Sequence, residues 1–490
     1  MSHSDEAELS GRQVAIRFGF IALLAGTLAW LLRAGGLNGD QVVSSTVFFI
    51  IILGTLFFWA FRLAIAFLGL AALLCTRVLN IPHFKEASSL EVILFLVGMM
   101  IMVGALRDLG FFTWIIQSVI QMKGMTGRRF VMITSLVGAA LACMVDEVTS
   151  ILFMAVLIFQ VCDTLKIRPT PFLIIVVMAT NVGSAGTMLG NPVGIFIGAK
   201  AGLTFEDFMR WAFPIMLVSL ASTIGIVLFW FRRDIAHFNE RLEDRRKMEL
   251  GLGPTVKVPY GRSLGVLLAT IGFIALHHQM ESRLGLPPNT LLLMAPLISS
   301  GLIMIWRRNR ARHYLENEVD WWTLTFFMLL FAVAGTLEYT QVTNRLAESV
   351  CHLLGARLVV LVPAVVLLSA LGSAFVDNVV FVAAFVPVIK AMADKVQVMP
   401  LWWALLFGAC FGGNITMIGS TANIVALGML EKRYREHVRF FEWLKIGVLT
   451  GVAASVLAAG ALLALAPLMP KNPPPALEAP APAAPAQGGH

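Results

Sequence analysis

The chain has 490 residues, of which 58% are hydrophobic and only 13% are charged, and its formal net charge is +8. A soluble globular domain carries roughly a quarter charged residues, so this composition excludes an ordinary soluble protein and indicates a polytopic membrane protein. The basic residues lie in loops beside apolar runs. This placement favours topology signals and contacts with membrane lipids over nucleic-acid binding.

In chain order, the sequence divides into five segments. They are an amino-terminal segment with the first transmembrane helix (1–43), a first repeat (44–231), a charged loop (232–262), a second repeat (263–468) and a Pro/Ala-rich tail (469–490). The tail is expected to be disordered. Several apolar runs within the repeats are too short to cross a bilayer about 30 Å thick, which indicates re-entrant hairpins or broken helices in an all-α fold.

Three short matches indicate that the two long segments are related. At offsets of 231, 231 and 229 residues, they pair Gly104 with Gly335, Val145-Asp146 with Val376-Asp377, and Thr187-Met188-x-Gly190 with Thr416-Met417-x-Gly419. Loops 121–129 and 431–445 are rich in Lys and Arg, whereas the corresponding loops 352–357 and 199–210 are not. This alternation is typical of inverted-topology repeats in secondary transporters.

The basic segments also predict the orientation. Segments 232–262 and 307–320 are separated by two spans, so they lie on one side of the membrane, and the positive-inside rule makes that side cytoplasmic. Counting spans from there places the N-terminus in the cytoplasm and the C-terminus outside. The expected location is a bacterial-type plasma membrane, with the chain crossing it many times.

An acidic group interrupts a long apolar run in each repeat. Asp146 and Glu147 do so in the first repeat, and Asp377 followed by Asn378 does so in the second. A carboxylate at membrane depth is costly unless it is paired or solvated, so we predict hairpin tips that contact a cation, a proton or the substrate. Two simpler interpretations stay open, namely a loop at the aqueous surface and, for Asp377, a helix cap.

A small, polar, glycine-containing stretch follows each hairpin, at 180–192 and at 412–423. Glycine permits unwinding, and Asn and Thr side chains with freed carbonyls can bind a ligand or Na⁺. We therefore predict two broken helices that line a binding site. The alternative is that the small residues serve only close packing between helices.

Other features receive less specific interpretations. Arg17, Arg33 and Arg62 lie at span ends, where their side chains are expected to snorkel towards the interface. The five cysteines lie in apolar segments without a Cys-x-x-Cys pair, which predicts free thiols. The sequence contains no Walker motif and no nucleophile–base spacing, so we expect neither an ATP-driven transporter nor an enzyme, and no cofactor beyond Na⁺ or H⁺ as coupling ion.

One stretch resembles the GGNxTxIGxxAN signature of the ion transporter superfamily, and it reads Gly412-Gly413-Asn414-Ile415-Thr416-Met417-Ile418-Gly419-Ser420-Thr421-Ala422-Asn423. It is most similar to the branch of arsenite permeases, NhaD-type sodium/proton antiporters and the P protein, which has a citrate-transporter-like domain. The hairpin tips at 145–149 and 376–378 resemble that branch's VDNVTT and VDN sequences. The resemblance implies about 11 transmembrane helices plus two opposed re-entrant hairpins, a homodimer and an elevator motion.

The first repeat departs from that branch's SNIGGxxTxIGDPPN pattern. Its Ser, Gly, Asp, Pro and Asn are replaced by Thr180, Ser184, Asn191, Val193 and Gly194, while Glu147 stands where the hairpin tip usually has Asn. Compared with that branch, the first repeat lacks an acid at position 191 and has an additional acid at position 147. Neither the substrate nor the coupling ion is therefore carried over from the relatives.

The resulting hypothesis is a secondary active transporter that moves a small ion or organic anion, coupled to Na⁺ or H⁺. Asp146, Glu147 and Asp377 would bind the coupling ion. By the resemblance, the substrate-binding residues would be Asn181, Thr187, Asn378, Asn414, Thr416 and Asn423. A Na⁺/H⁺ antiporter fits the acidic cluster too, since carboxylates in a cavity can exchange protons for Na⁺. A passive channel or a membrane scaffold is the alternative from another class.

Overall fold

The computed structural model describes residues 11–248, 258–286 and 290–471, and helices are the only regular secondary structure in these ranges, which confirms the all-α prediction. The helices up to residue 230 are α1 (Gly11–Ala34), α2 (Gly39–Phe57), α3 (Arg62–Cys75), α4 (Ile81–Ala87), α5 (Leu90–Asp108), α6 (Phe111–Ile120), α7 (Gly127–Met144), α8 (Glu147–Leu165), α9 (Thr170–Gly183), α10 (Pro192–Ala201), α11 (Phe205–Asp207) and α12 (Phe213–Trp230). The later helices are α13 (Arg232–Lys247), α14 (Gly261–Leu284), α15 (Thr290–Trp306), α16 (Ala311–His313), α17 (Trp321–Tyr339), α18 (Val342–Leu354), α19 (Leu358–Ser373), α20 (Asn378–Ala391), α21 (Met399–Gly412), α22 (Thr421–Tyr434) and α23 (Phe440–Leu465).

Many of these helices are long and apolar enough to cross a membrane. Within the described ranges there are nine such helical segments, or ten if α15 and the segment Arg308–Glu318, bent by 105°, are counted as one span. The protein is therefore a multi-pass membrane protein. The arms of the second hairpin, α19 and α20, are shorter than a typical span, whereas α7 and α8 of the first hairpin have 18 and 19 residues.

The breaks inside the apolar segments fall at polar residues that cap the next helix. Asp146 and Asp377 accept backbone N–H bonds at the starts of α8 and α20, at 2.7 and 2.9 Å. Asn191 and Ser420 do the same for α10 and α22, at 2.8 and 3.2 Å. These caps satisfy N–H groups that a helix starting inside the protein would otherwise leave unpaired. They define hairpin 1 (α7–α8), hairpin 2 (α19–α20), broken helix 1 (α9–α10) and broken helix 2 (α21–α22).

Each hairpin packs closely against the broken helix that follows it, α7 against α9 and α19 against α21. A Cβ atom on Gly183 would lie 2.4 Å from the Cα of Ala139, and one on Gly412 would lie 2.5 Å from the Cα of Ala370. Only glycine lets the two backbones approach this closely. The same contact therefore occurs in both halves of the chain, as expected of an internal repeat.

The two halves also contact each other directly. Helix α8 packs against α22, α10 against α20, and α12 against α23. At the exposed end of the α8–α22 contact, the carboxylate of Asp163 accepts hydrogen bonds from Arg433 and Tyr434, both at 2.6 Å. The hairpins and broken helices of both halves thus form one packed unit.

The segment 232–262 is predicted to be a charged loop, and for residues 232–247 this is wrong because they form α13. Ile235, Phe238 and Leu242 recur at helical spacing and are buried. Arg245 and Arg246 donate to the carbonyls of Thr164 and Met125, at 3.0 and 2.6 Å. The Asn239 side chain accepts the N–H of Gly127 at 2.7 Å, so α13 closes the base of hairpin 1. Most of the predicted disordered tail, from residue 472 onward, lies outside the described residues.

Because Phe238 is fully buried and stacks on Phe130 at 4.9 Å, we expect Phe238→Ala to destabilise the protein. Removing a buried Phe side chain costs about 3–5 kcal/mol. The measurement is the thermal unfolding midpoint in detergent. Phe441→Ala is the control because that ring is 72% exposed, and equal shifts in both variants would contradict the packing of α13.

Candidate functional site

The tip of hairpin 1 turns at Asp146. Its two carboxylate oxygens accept hydrogen bonds from the N–H and the hydroxyl of Thr149, both at 2.7 Å. Its φ of +134° lies in a region that residues other than glycine rarely adopt, at a cost of about 1–3 kcal/mol. Both oxygens of Asp146 are therefore engaged by its own hairpin, and the next residue is the one that faces the other half.

Of the three acidic groups at the site, Glu147 has the weakest interactions to stabilise its negative charge. Its side chain is 6% exposed, and its Oε1 accepts a hydrogen bond from Ser420 Oγ at 3.3 Å. Its Oε2 has no hydrogen-bond partner within the described part of the chain. The Ser184 side chain also interacts with this carboxylate, while the negative charges of Asp377 and Asp146 repel it. A buried carboxylate in this setting is suited to take up a proton or a cation.

The tip of hairpin 2 is chemically different. Asp377 caps α20, as one of the simpler interpretations predicts, and its second oxygen accepts from Thr421 Oγ1 at 3.2 Å. Asn378 contacts the Ser373 hydroxyl. When its amide is oriented so that the nitrogen faces the Gly419 carbonyl, it donates a hydrogen bond to that carbonyl at 2.8 Å. The cap and a role in binding do not exclude each other, because one carboxylate has several acceptor positions.

The prediction that Arg62 snorkels to the interface is wrong. Its side chain is 4% exposed, with the guanidinium 3.9 Å from the centre of the Trp59 ring and 4.8 Å from that of Phe326. Its Nη1 lies 3.9 Å from the Asp377 carboxylate, and its Nη2 donates to Thr323 Oγ1 at 3.1 Å. The two rings and the acid stabilise a cation that lipid would not. In the sequence, the feature that could have indicated this burial is the position of Arg62 between two apolar runs.

Three buried amides join the two broken helices. The side-chain nitrogen of Asn181 donates to the oxygens of Asn414 and Asn423, at 2.9 and 2.8 Å. Asn423 in turn donates to the carbonyls of Gly413 and Thr416, at 2.7 and 2.9 Å. These carbonyls belong to the unwound part of broken helix 2. We call Asn181, Asn414 and Asn423 the amide cluster.

Thr187 and Thr416 hold the hairpins in place. Their hydroxyls donate to the carbonyls of Cys143 and Ala374, just before the tips of hairpins 1 and 2. The pairing is the same in both halves, in agreement with the sequence offsets. In this structure, both hydroxyls are used within the protein, whereas the resemblance implies that they contact the substrate.

Ser420 connects the acidic tips to the amide cluster, and the sequence-based list of site residues omits it. Its hydroxyl lies 3.3 Å from both Glu147 and Asn181, and the neighbouring Thr421 contacts Asp377. Ser420 lies within the stretch 412–423 that resembles the superfamily signature, so the sequence contained the information needed to include it. The contacts therefore connect Glu147 with the amide cluster, whereas Asp146 and Thr187 hydrogen-bond within the first repeat.

Paired broken helices in two related halves are a feature of membrane transporters. The chain matches the citrate transporter family (CitMHS) over residues 46–408, and it belongs to that family. It is therefore a transporter of this family.

Named relatives agree with this assignment. An uncharacterized transporter of Mycobacterium tuberculosis is 31% identical over 378 residues, which cover 75% of this chain and 85% of that protein. The P protein of Homo sapiens is 27% identical over 468 residues, which cover 79% of this chain and 55% of the P protein. The resemblance to the branch that includes the P protein is thereby confirmed.

A solved structure supports the fold. The crystal structure of the Alcanivorax borkumensis YdaH transporter, described as having an unusual topology, aligns with a TM-score of 0.55 at 16% sequence identity. The alignment covers 89% of this chain and all of that one. At this identity the similarity concerns the fold alone.

We expect Arg62→Gln to lower the thermal unfolding midpoint strongly, because it leaves the buried Asp377 carboxylate unpaired, at a cost of about 3–5 kcal/mol. The double variant Arg62→Gln/Asp377→Asn removes both charges and should recover most of the loss. Arg33→Gln, at an exposed position, is the control and should change little. A double variant as unstable as the single one would show that the pair is not coupled.

Proposed function

We propose that the protein is a secondary active transporter that moves a small organic anion, with citrate as the first candidate, and couples this movement to Na⁺ or H⁺. The observation that carries the proposal is Glu147, a buried carboxylate with one free oxygen beside the amide cluster that joins both halves. The name of the family supports citrate as the first anion to test.

Helix ends at the site favour an anion. Helices α8, α20 and α22 all begin there, and their starts are in contact through Glu147 with Ser420 and through Asp377 with Thr421. Each cap pairs one of the first N–H groups, and the partial positive charge of the helix N-terminus with the N–H groups that remain attracts anions. The amide cluster adds donors and acceptors for carboxylate or hydroxyl groups.

Glu147 is the best candidate for ion coupling among the three acids. Both oxygens of Asp146 accept hydrogen bonds from Thr149, and Asp377 has Arg62 as a counter-charge. Glu147 has no counter-charge of this kind and interacts only with neutral hydroxyls, those of Ser420 and Ser184. Uptake of H⁺ or Na⁺ there would remove an uncompensated negative charge and so lower the repulsion of an incoming anion.

A Na⁺/H⁺ antiporter is the second candidate, and the free oxygen of Glu147 favours it as well. In such a protein the same carboxylate would alternate between a proton and Na⁺ without any anion. The two functions differ in whether ion movement requires the anion.

The remaining features of the proposal concern motion and placement. We propose an elevator motion in which the hairpins and broken helices move as one unit, supported by the close packing of α7 on α9 and of α19 on α21. The transporter would act as a homodimer in the lipids of a bacterial plasma membrane. Its N-terminus would lie in the cytoplasm and its C-terminus outside.

The test uses purified protein in liposomes, with labelled citrate outside and imposed Na⁺ or pH gradients. We expect gradient-driven uptake by the wild type, and Glu147→Gln should reduce it to the level of empty liposomes because the coupling carboxylate is lost. Glu243→Gln, an exposed acid on α13, is the matched control and should behave as the wild type.

The other outcomes separate the alternatives. Movement of Na⁺ against a pH gradient without any anion would identify the antiporter. Flux that is independent of both gradients and unchanged in Glu147→Gln would favour a passive channel and would overturn ion coupling by this group.

A further inference from the structure

Arg62 is a buried cation whose hydrogen-bonding capacity is largely unused. Its Nε and Nη1 have no hydrogen-bond partner in the described residues, although the side chain is 4% exposed. The separation of 3.9 Å from Asp377 is an ion pair without a hydrogen bond. Unused donors on a buried charge are costly, so their presence points to a ligand that completes them.

Arg62 also belongs to a chain of polar contacts between an exposed residue and the acidic tips. Asp320 is exposed and accepts from Thr323 Oγ1 at 2.7 Å, and Thr323 accepts from Arg62. On its other side, Arg62 faces Asp377, which contacts Thr421 next to the Ser420 hydroxyl. Arg62 is thus the cation nearest to the acidic tips along this polar path.

We propose that Arg62 recognises a carboxylate group of the transported anion once a second coupling ion, bound beside the one at Glu147, has neutralised the negative charge of Asp377. The inference rests on the proposed function and assigns the residue that selects its anionic substrate. The planar guanidinium would donate through Nε and an Nη to the two oxygens of one carboxylate, as Arg does in bidentate pairs.

The charges around Arg62 explain the order of events. While Asp377 is ionised it balances Arg62, and together with Asp320 and Glu147 it repels an anion. When Asp377 is neutral, the guanidinium between Trp59 and Phe326 is a buried cation without a close counter-charge. An anion then binds more favourably, so cation and anion promote each other's binding by thermodynamic linkage.

The test compares two variants that differ only at Arg62, namely Asp377→Asn and Arg62→Gln/Asp377→Asn. The amide in both mimics a neutralised Asp377. Citrate binding to the purified proteins is measured by isothermal titration calorimetry at several Na⁺ concentrations and pH values, and the thermal midpoint of each variant confirms folding.

We expect wild-type protein to bind citrate with an affinity that rises with Na⁺ or with falling pH. Asp377→Asn should bind citrate with less dependence on either ion. The double variant should bind at least about tenfold more weakly than Asp377→Asn although it is at least as stable, since it lacks the charged fork. In Asp377→Asn/Arg62→Lys, which keeps the charge but not the fork, an intermediate affinity is expected.

Two results would overturn the assignment. Equal citrate affinity in Asp377→Asn and in the double variant would show that Arg62 only balances Asp377 structurally, while anion transport itself would stand. If the wild type binds none of citrate, succinate and sulfate, an anion of this kind is not its substrate. In that case Na⁺/H⁺ exchange that depends on Glu147 would identify the protein as an antiporter.

Discussion

Starting helices inside a membrane protein exposes polar backbone groups that lipid cannot satisfy, and the rest of this structure depends on how those groups are paired. Asp146, Asn191, Asp377 and Ser420 each cap a helix at such a start. Because the caps must be polar, they bring carboxylates, hydroxyls and amides to the centre of an otherwise apolar molecule. The same requirement that permits the breaks thus supplies the chemistry of the site.

The two hairpin tips solve this problem unequally. In hairpin 1 the residue after the cap is Glu147, an acid with a free oxygen, whereas in hairpin 2 it is Asn378, an amide held by its neighbours. The cap of hairpin 2 has Arg62 as counter-charge, while the cap of hairpin 1 relies on hydrogen bonds from Thr149. The two tips therefore present different chemical groups to the same site.

Close packing connects the site to the rest of the fold. Gly183 and Gly412 let each broken helix lie directly on its hairpin, so a displacement of one element is transmitted to the other. Arg62 belongs to α3, outside both hairpins and broken helices, yet it contacts the tip of hairpin 2. Its ion pair therefore links the hairpins and broken helices to the surrounding helices, at a position where a change of charge would affect both.

The sequence by itself determined the membrane class, the helical fold, the two interrupted stretches and the acids at 146, 147 and 377. Length, hydropathy and residue type act locally, so each of these can be inferred without knowing what lies nearby. The matched offsets likewise placed Thr187 and Thr416 in equivalent positions, and the structure gives them equivalent contacts.

Only the tertiary structure decided which groups meet. The burial of Arg62 against Asp377, the cluster of Asn181 with Asn414 and Asn423, and the helix over residues 232–247 all depend on contacts between segments far apart in the chain. An arginine at the end of an apolar run has the same local pattern whether it faces lipid headgroups or a carboxylate. Its environment is set by the helices that pack around it, and for that reason its role could not be inferred from sequence.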